Sequence, residues 1–397
     1  MEIINRLKDV EICKKIGNRL FYIALLIELL LMIIEKSELS FSYESYVFRI
    51  TFAITLLSVF IAKHEKNEWF AIALILAFTF ICYRLTGKNE LLRYAVFVMA
   101  AKNINLGKTM KMIFWICLVG FGLIALLSLT GILGQISMVT DYGRDNAQEL
   151  RYVFGFGHPN TFWGCAYVLI LLWIWVYGSK AKLWQYAALF VASIAVSLLA
   201  SSRTGLIIGV FTVLMAVLVR LFPVLNTRKY IYLLSTFITP VMCTAFSVWA
   251  AYISYIPGYM LEAKGYLTIV AIDNALNNRI YNLYRANHRR AGAIVSWKLF
   301  SDHESVEYFD MGWVRLFYWY GIIPAALICV LVGVFIYLCY KRKDAWTLVL
   351  IVSLSIYTII EATFVSVYIG RNILLPVLGV YLGAFFERKL IVNAGKN

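Results

Sequence analysis

Four arginines and one lysine stand close together late in the chain, in a stretch without any acidic residue. They are Arg279, Arg285, Arg289, Arg290 and Lys298. An arginine side chain presents a planar fork of N–H donors that matches the oxygens of a phosphate group. We expect Arg279, which has four asparagines around it, to bind an anion. For the last three cations of the group, contact with lipid head groups or with solvent is sufficient.

A second candidate for anion binding is Arg203, in the stretch LLASSRTGLIIG. The stretch joins two apolar runs with almost no loop, so Arg203 lies at or just below a membrane interface. An arginine at mid-membrane costs about 2.5–3.5 kcal/mol on insertion scales, and such residues usually line a polar cavity. Hydrogen bonds from Ser201, Ser202 and Thr204 can close the hairpin, and Gly205 allows close helix approach. The alternative is that Arg203 extends to lipid head groups.

The stretch RYVFGFGHPNTFWG places a histidine at the start of another apolar run. Pro159 is preorganised for the first helical turn, and Asn160 or Thr161 can cap the helix. Capping requires neither His158 nor Arg151, so both are candidates for a functional site. A histidine can donate, accept or shuttle a proton near neutral pH. The alternative is a histidine whose hydrogen bonds are satisfied at the interface.

Two groups of the late loop could accept a proton from a hydroxyl. Asp310, in YFDMGWVRLFYWYGII, immediately precedes an apolar run. Its carboxylate either stabilises the helix dipole or activates a sugar hydroxyl. His303, in SDHES, lies in the same loop and could serve instead.

These polar residues must be positioned by a largely apolar chain. Of its 397 residues, 62% are hydrophobic and 15% are charged, and the mean hydropathy is +0.77. Soluble chains carry about 25% charged residues, whereas apolar runs of roughly 20 residues cross the bilayer core. We therefore predict an all-α polytopic membrane protein with about 12 transmembrane helices. They lie near residues 16–34, 46–62, 69–86, 90–101, 113–134, 161–177, 184–200, 204–222, 230–253, 313–340, 345–360 and 371–386.

The net charge of +15 reflects membrane topology. If the N-terminus is cytoplasmic, nearly every short inside turn carries two or three lysines or arginines, as the positive-inside rule requires. Both termini are then cytoplasmic, and nucleic acid is not expected as a partner. The first apolar run is followed by EKSE, which indicates a retained anchor and not a signal peptide. The cysteines are scattered without a CxxC motif, so neither a zinc site nor a disulfide framework is predicted.

This topology leaves two outer segments longer than a turn, 135–160 and 254–312, within a single membrane domain over 1–397. In the second segment, apolar residues at spacings of three and four predict a helix with one apolar stripe: Ile269, Ile272, Leu276, Ile280 and Leu283. The opposite face carries Asp273, Asn277, Asn278, Asn282 and Arg285. We expect this helix to lie on the membrane surface with its apolar side down.

Four stretches together resemble the capsular and O-antigen polysaccharide polymerases, the Wzy-like family, which share a membrane core with O-antigen ligases. They are GFGHPN, SSRTG, NNRIYNL and DMGWVRLFYWYG. The number of predicted spans and one large outer loop late in the chain also fit. The resemblance covers most of the chain as architecture, and GFGHPN is its most specific motif.

The resemblance implies a metal-independent, GT-C-like glycosyltransferase without a cofactor, in the cytoplasmic membrane of a bacterium. Such enzymes transfer a growing glycan from one undecaprenyl-pyrophosphate carrier onto the lipid-linked repeat unit of another, at the outer face of the membrane. Besides the bilayer and the lipid-linked oligosaccharide, a flippase and a chain-length regulator of the same pathway would be partners.

The resemblance also assigns roles to residues that bind the donor and take the proton. Arg203 and Arg279 match the family's pyrophosphate-binding pair, and Arg151 is a further candidate. The related ligases use a histidine of the large loop as base. Here the matching position is Asp310, with His303 offset from it, so the identity of the base stays open between them and His158.

Contacts to sugar are assigned to residues around these positions. His158 and Asn160 carry over as acceptor-side or structural residues. Glu361, before the last outer turn, is a candidate for contact with the glycan, as are Asn282 and Arg285 on the polar face of the loop helix.

Two other functions are compatible with the same sequence. A ligase of the same fold would differ only in the acceptor of the glycan. A glycan-lipid flippase or other transporter should carry charged residues at mid-depth in many spans. Here charged residues inside the spans are few and lie toward their ends, which favours the polymerase.

The loop charges generate a test of orientation. In a variant otherwise free of cysteine, a cysteine at Asn287 should react with a membrane-impermeant thiol reagent in intact cells, because the positive-inside rule places it outside. A cysteine at Lys180 should stay unlabelled. The reverse labelling pattern would overturn the orientation.

Overall fold

The computed structural model describes residues 2–140, 149–256, 267–285, 291–362 and 372–386. The chain is predominantly α-helical, with helix in every predicted apolar run and, among these residues, one short β-hairpin. The early elements are α1 (Glu2–Glu35), α2 (Glu44–Ile61), α3 (Lys66–Thr86), α4 (Glu90–Ala100), α5 (Leu106–Leu129), β1 (Ser137–Thr140) and β2 (Glu149–Tyr152). They are followed by α6 (Pro159–Tyr177), α7 (Leu183–Leu199), α8 (Arg203–Leu221), α9 (Lys229–Ser254), α10 (Leu267–Ala275) and α11 (Tyr281–Tyr284). The last are α12 (Gly312–Tyr320), α13 (Ile322–Arg342), α14 (Ala345–Tyr357) and α15 (Asn372–Phe386).

Eight of the described helices are long and apolar enough to cross a membrane, namely α1, α2, α3, α5, α6, α8, α9 and α13. Large apolar side chains such as Phe70 and Ile207 stay exposed on them, as expected of surfaces that lipid tails can cover. The helices α7, α14 and α15 are apolar but shorter. The predicted all-α class is confirmed, and the number of about 12 spans stays a prediction.

The predicted span at 313–340 consists of two helices, α12 and α13, which meet at Gly321. The φ of 100° and ψ of 168° at this residue lie in a region that only glycine adopts readily. A Cβ atom here would come within 2.6 Å of the Leu299 carbonyl oxygen and of Phe300 Cα. The prediction of one continuous helix was wrong because the preceding loop packs directly against this glycine.

Packing divides the described residues into two compact units. The first lies within Met1–Leu76, Arg93–Pro223 and Val367–Asn397. The second lies within Ala77–Leu92 and Val224–Ser366. The single membrane domain over 1–397 stays a prediction.

In the first unit, a charged side chain of α1 lies among apolar helices. The buried Glu28 accepts hydrogen bonds from Thr51 Oγ1 at 2.5 Å and from Arg93 Nη2 at 3.2 Å. The Arg93 guanidinium also lies over the Phe48 ring, 3.8 Å from its centroid. Glu28, Thr51 and Arg93 thus join α1, α2 and α4. The pairing matters for stability because a lone charge in such surroundings would be strongly unfavourable.

The core of the second unit is formed by α9, α11, α12 and the residues just before α12. Its buried apolar members are Ala250, Ala251, Ile253, Ile280, Leu283, Phe309, Met311, Val314 and Tyr318. Ile269, Ile272 and Leu276 of the predicted apolar stripe pack against them. The stripe therefore forms one packed face, but the expectation that it faces the membrane was wrong, because it packs against the protein core. The helix that carries it is also interrupted.

The ion pair of the first unit generates a stability prediction. Replacing the acid in Glu28→Leu leaves the Arg93 guanidinium in apolar surroundings without its carboxylate, so we expect a loss of about 3–5 kcal/mol in unfolding free energy. Adding Arg93→Met should restore most of it, because neither charge then remains buried alone. Thermal unfolding of the purified protein in detergent measures both variants. A double variant as unstable as the single one would contradict the pairing.

Candidate functional site

The turn that presents Arg279 is closed by a buried aspartate. After α10, Asn277 and Asn278 adopt left-handed φ values of 58° and 59°, which asparagine tolerates better than most residues. The Asp273 carboxylate accepts hydrogen bonds from the backbone N–H groups of residues 280 and 281, at 2.7 and 2.9 Å. The sequence predicts one continuous helix with Asp273 on its exposed polar face, and this prediction was wrong. The helix ends before the two asparagines, and the buried Asp273 side chain caps the turn that follows them.

The Arg279 guanidinium is buried and held by three hydrogen bonds. Its Nε donates to the Ile360 carbonyl oxygen at 2.7 Å, and its Nη1 donates to the Leu276 carbonyl oxygen at 3.1 Å. Its Nη2 donates to Glu361 Oε1 at 2.7 Å. The two backbone oxygens fix the plane of the guanidinium, and Glu361 neutralises its charge.

Asp310 lies beside the same guanidinium. Its Oδ2 is 3.9 Å from Arg279 Nε, and its side chain is 49% exposed. Gly312 makes this approach possible, because a Cβ atom there would come within 2.8 Å of Ala362 Cα. The Gly312 N–H also donates to the Thr358 carbonyl oxygen, at 2.9 Å. The start of α12 thus packs directly on the segment after α14, which brings both carboxylates to one arginine.

The two carboxylates differ in exposure, 14% for the Glu361 side chain against 49% for Asp310. Burial raises the pKa of Glu361 to about 7, with Arg279 opposing the rise and Asp310 adding to it. A carboxyl group with such a pKa exchanges its proton near neutral pH, the range in which acid–base groups are effective. We call Arg279, Glu361 and Asp310 the Arg279 cluster.

His303, Asn282 and Arg285 make other contacts. The exposed His303 ring reaches the end of α3, where its Nε2 is 3.3 Å from the Arg84 carbonyl oxygen. Asn282 is exposed, and Arg285 is half-buried with its Cζ 5.5 Å from the centroid of the Tyr281 ring. Within the described part of the chain, none of these three side chains forms a hydrogen bond or ion pair with the Arg279 cluster.

In the first unit, the GFGHPN stretch shapes the start of α6. Gly155 and Gly157 take φ values of 78° and 70°, which open a tight path into the helix. His158 is the N-cap of α6, and its ring Nδ1 accepts the Asn160 backbone N–H at 3.1 Å. The expected cap at Asn160 or the residue after it was wrong, because Pro159 takes the first helical position. A neutral ring that accepts through Nδ1 carries its proton on Nε2.

The two remaining predicted arginines belong to the first unit. Arg203 is exposed as the first residue of α8, where the Ser202 hydroxyl accepts the Gly205 N–H at 3.1 Å. A Cβ atom at Gly205 would come within 2.7 Å of an indole ring of α6, which confirms the predicted close helix approach. Arg151 is buried on β2, and its Nη2 donates to Glu149 at 2.6 Å. Of these two side chains, Arg203 is the more accessible to a ligand.

No family model, no curated protein and no solved structure matches the chain. Among the described residues, no three His, Cys, Asp or Glu side chains are grouped so that they could hold a metal ion. The Arg279 cluster is the strongest arrangement for chemistry that the predicted site residues form within one unit.

The capping role of His158 generates a prediction. His158→Asn keeps a preferred N-cap residue and removes the imidazole, so we expect wild-type thermal stability and, in an assay of the glycan transfer that the resemblance implies, a wild-type rate. His158→Ala should lose about 0.5–2 kcal/mol of unfolding free energy, because the cap is gone. If His158 instead transfers the proton, His158→Asn would remain stable and lose about 10²–10⁴-fold in rate.

Proposed function

We propose that this chain is a multi-pass membrane glycan transferase. It moves a growing glycan from an undecaprenyl-pyrophosphate carrier onto a lipid-linked repeat unit at the outer face of a bacterial cytoplasmic membrane. The observation that carries the proposal is the Arg279 cluster, in which one buried guanidinium contacts two carboxylates of unlike exposure. The eight helices able to cross a membrane and the resemblance to Wzy-like stretches support the setting.

Arg279 is suited to stabilise the leaving group. Its Nε and Nη1 are held by backbone oxygens and its Nη2 by the Glu361 carboxylate, so the guanidinium is fixed in position by described residues. Negative charge grows on the pyrophosphate as the glycosidic bond breaks, and a donor already fixed in position stabilises that charge without reorganisation. The resemblance implies a pyrophosphate-binding role for Arg203 as well, which is exposed in the first unit.

Asp310 is suited to take the proton from the attacking hydroxyl. Its side chain is half exposed, so an acceptor sugar can reach it, and it lies 3.9 Å from the cation that would hold the leaving group. A base so placed raises the rate by about 10²–10⁴-fold. His303 remains the alternative base of the same loop, and His158 is engaged as a helix cap.

A ligase would use the same cluster, since only the acceptor of the glycan differs. A flippase or other transporter would move the lipid-linked glycan without breaking its glycosidic bond. Product analysis therefore separates the three functions. Purified protein with lipid-linked repeat units alone should produce a ladder of longer glycans if it is a polymerase, whereas a ligase needs a different acceptor and a flippase produces no new bond.

The cluster generates a prediction for this assay. Arg279→Lys keeps the charge but loses the fork that makes three directed hydrogen bonds, so we expect laddering to fall by about 10²–10³-fold. Asp310→Asn keeps the size of the side chain but cannot accept the proton in the same way, so we expect a loss of about 10²–10⁴-fold. Gel analysis of the product with purified lipid-linked substrate measures both.

Arg228→Lys is the matched control, because Arg228 is an exposed arginine of the same unit, at the start of α9. We expect it to ladder like the wild type. Size-exclusion profiles of all variants show whether the protein stays folded. If Arg279→Lys and Asp310→Asn are folded and both ladder normally, the site lies elsewhere in the chain.

A further inference from the structure

One of the three N–H contacts that hold Arg279 goes to a protein carboxylate. Nη2 donates to Glu361 Oε1 at 2.7 Å, the charge-assisted contact that a phosphate would also make. Nε and Nη1 donate to backbone oxygens, which cannot leave without unfolding the turn or the segment after α14. Of the three groups that accept hydrogen bonds from Arg279, Glu361 is therefore the one that a ligand could replace.

An anionic ligand would meet an unfavourable charge arrangement if Glu361 stayed ionised. Glu361 lies against Nη2, and Asp310 Oδ2 lies 3.9 Å from Nε. Two carboxylates already face one guanidinium, so no positive charge is left to balance a pyrophosphate as well. Like charges at such distances repel strongly where water is excluded.

We propose that Glu361 takes the place of the pyrophosphate on Arg279 in the free protein, and that pyrophosphate binding is coupled to protonation of Glu361. The inference rests on the proposed function and adds a positioning residue to it. The Glu361 carboxylate takes one proton from solvent and becomes a neutral carboxylic acid. The charge of Arg279 is then balanced by the phosphate oxygen, and no covalent bond forms or breaks in this step.

The described charged groups that act on Glu361 are Arg279 and Asp310, which have opposite effects on its proton affinity. Burial is the largest influence, and it raises the pKa of Glu361 to about 7. A bound pyrophosphate would raise that pKa further, because a second anion beside the carboxyl group favours its neutral form. Protonation of Glu361 is thus accessible at neutral pH and favoured by the ligand.

The sign of the pH effect follows from linkage. A ligand that binds the form with protonated Glu361 binds more tightly as pH falls through about 7. Between pH 6 and pH 8 the protonated fraction of a group with this pKa falls from roughly nine-tenths to roughly one-tenth, so affinity should fall about tenfold. Pyrophosphate diesters keep their charge over this range, so the ligand itself adds no pH dependence.

The test measures binding of N-acetylglucosamine linked through pyrophosphate to a short prenyl chain. Full-length protein in lipid nanodiscs is titrated at pH 6, 7 and 8 by isothermal titration calorimetry. We expect the wild type to bind about tenfold more tightly at pH 6 than at pH 8. Glu361→Gln is permanently neutral and of the same size, so it should bind at pH 8 as tightly as the wild type at pH 6, with a flat profile.

Glu304→Gln is the matched control, because it removes an exposed carboxylate of the same unit outside the Arg279 cluster, and it should keep the wild-type profile. A flat wild-type profile, or an unchanged slope in Glu361→Gln, would overturn the coupling while leaving pyrophosphate binding and the proposed function in place. The wild-type profile alone decides this if Glu361→Gln fails to fold. Absence of binding by the wild type at every pH would overturn the proposed function and the coupling together.

Discussion

The burial of the Arg279 guanidinium is the constraint on which the candidate site depends. A buried cation must be paired and hydrogen-bonded, or its loss of hydration destabilises the fold. Here the pairing comes from Glu361 and the hydrogen bonds from two backbone carbonyl oxygens. The requirement ties together parts of the second unit far apart in sequence: the turn closed by Asp273, the start of α12 at Gly312 and the segment that follows α14. Asp310 then comes within reach of the same cation because α12 packs directly on that segment.

The helices could be predicted from the sequence because each apolar run is long enough to bury or cover a helix, and its ends carry recognisable signals. The breaks could not be predicted with the same success. Gly321 lies inside a continuous apolar run, and only the loop packed against it forces the chain out of helical geometry. Similarly, Asn277 and Asn278 are compatible with the helical spacing of the apolar stripe around them. Their left-handed conformation is stabilised by a side chain four to five residues earlier, Asp273, whose burial no local pattern indicates.

The members of the candidate site were individually visible in the sequence, but their contacts were not. Their charge and their place in the late outer loop mark Arg279 and Asp310 as candidates, and Glu361 stands out before the last outer turn. The contact between Arg279 and Glu361 joins residues 82 positions apart, and no spacing rule predicts it. The role of His158 could have been anticipated more closely, because a polar residue directly before a proline at a helix start is the N-cap position. In that position its Nδ1 is engaged by a backbone N–H, which makes the ring part of the scaffold of α6.

An anion site that is closed by the protein's own carboxylate answers two opposing demands. Without a counterion, the buried guanidinium would destabilise the empty protein, whereas a permanent ionised partner would repel the ligand. Under the proposed coupling, a buried carboxyl group whose pKa is raised to about 7 meets both demands, since it would be ionised while it neutralises Arg279 and neutral once a phosphate does so. The half-exposed Asp310 lacks this burial and stays in contact with solvent, as its proposed role toward an acceptor hydroxyl requires. Two carboxylates at one arginine can thus have separate tasks, and the difference in burial is the physical property that separates them.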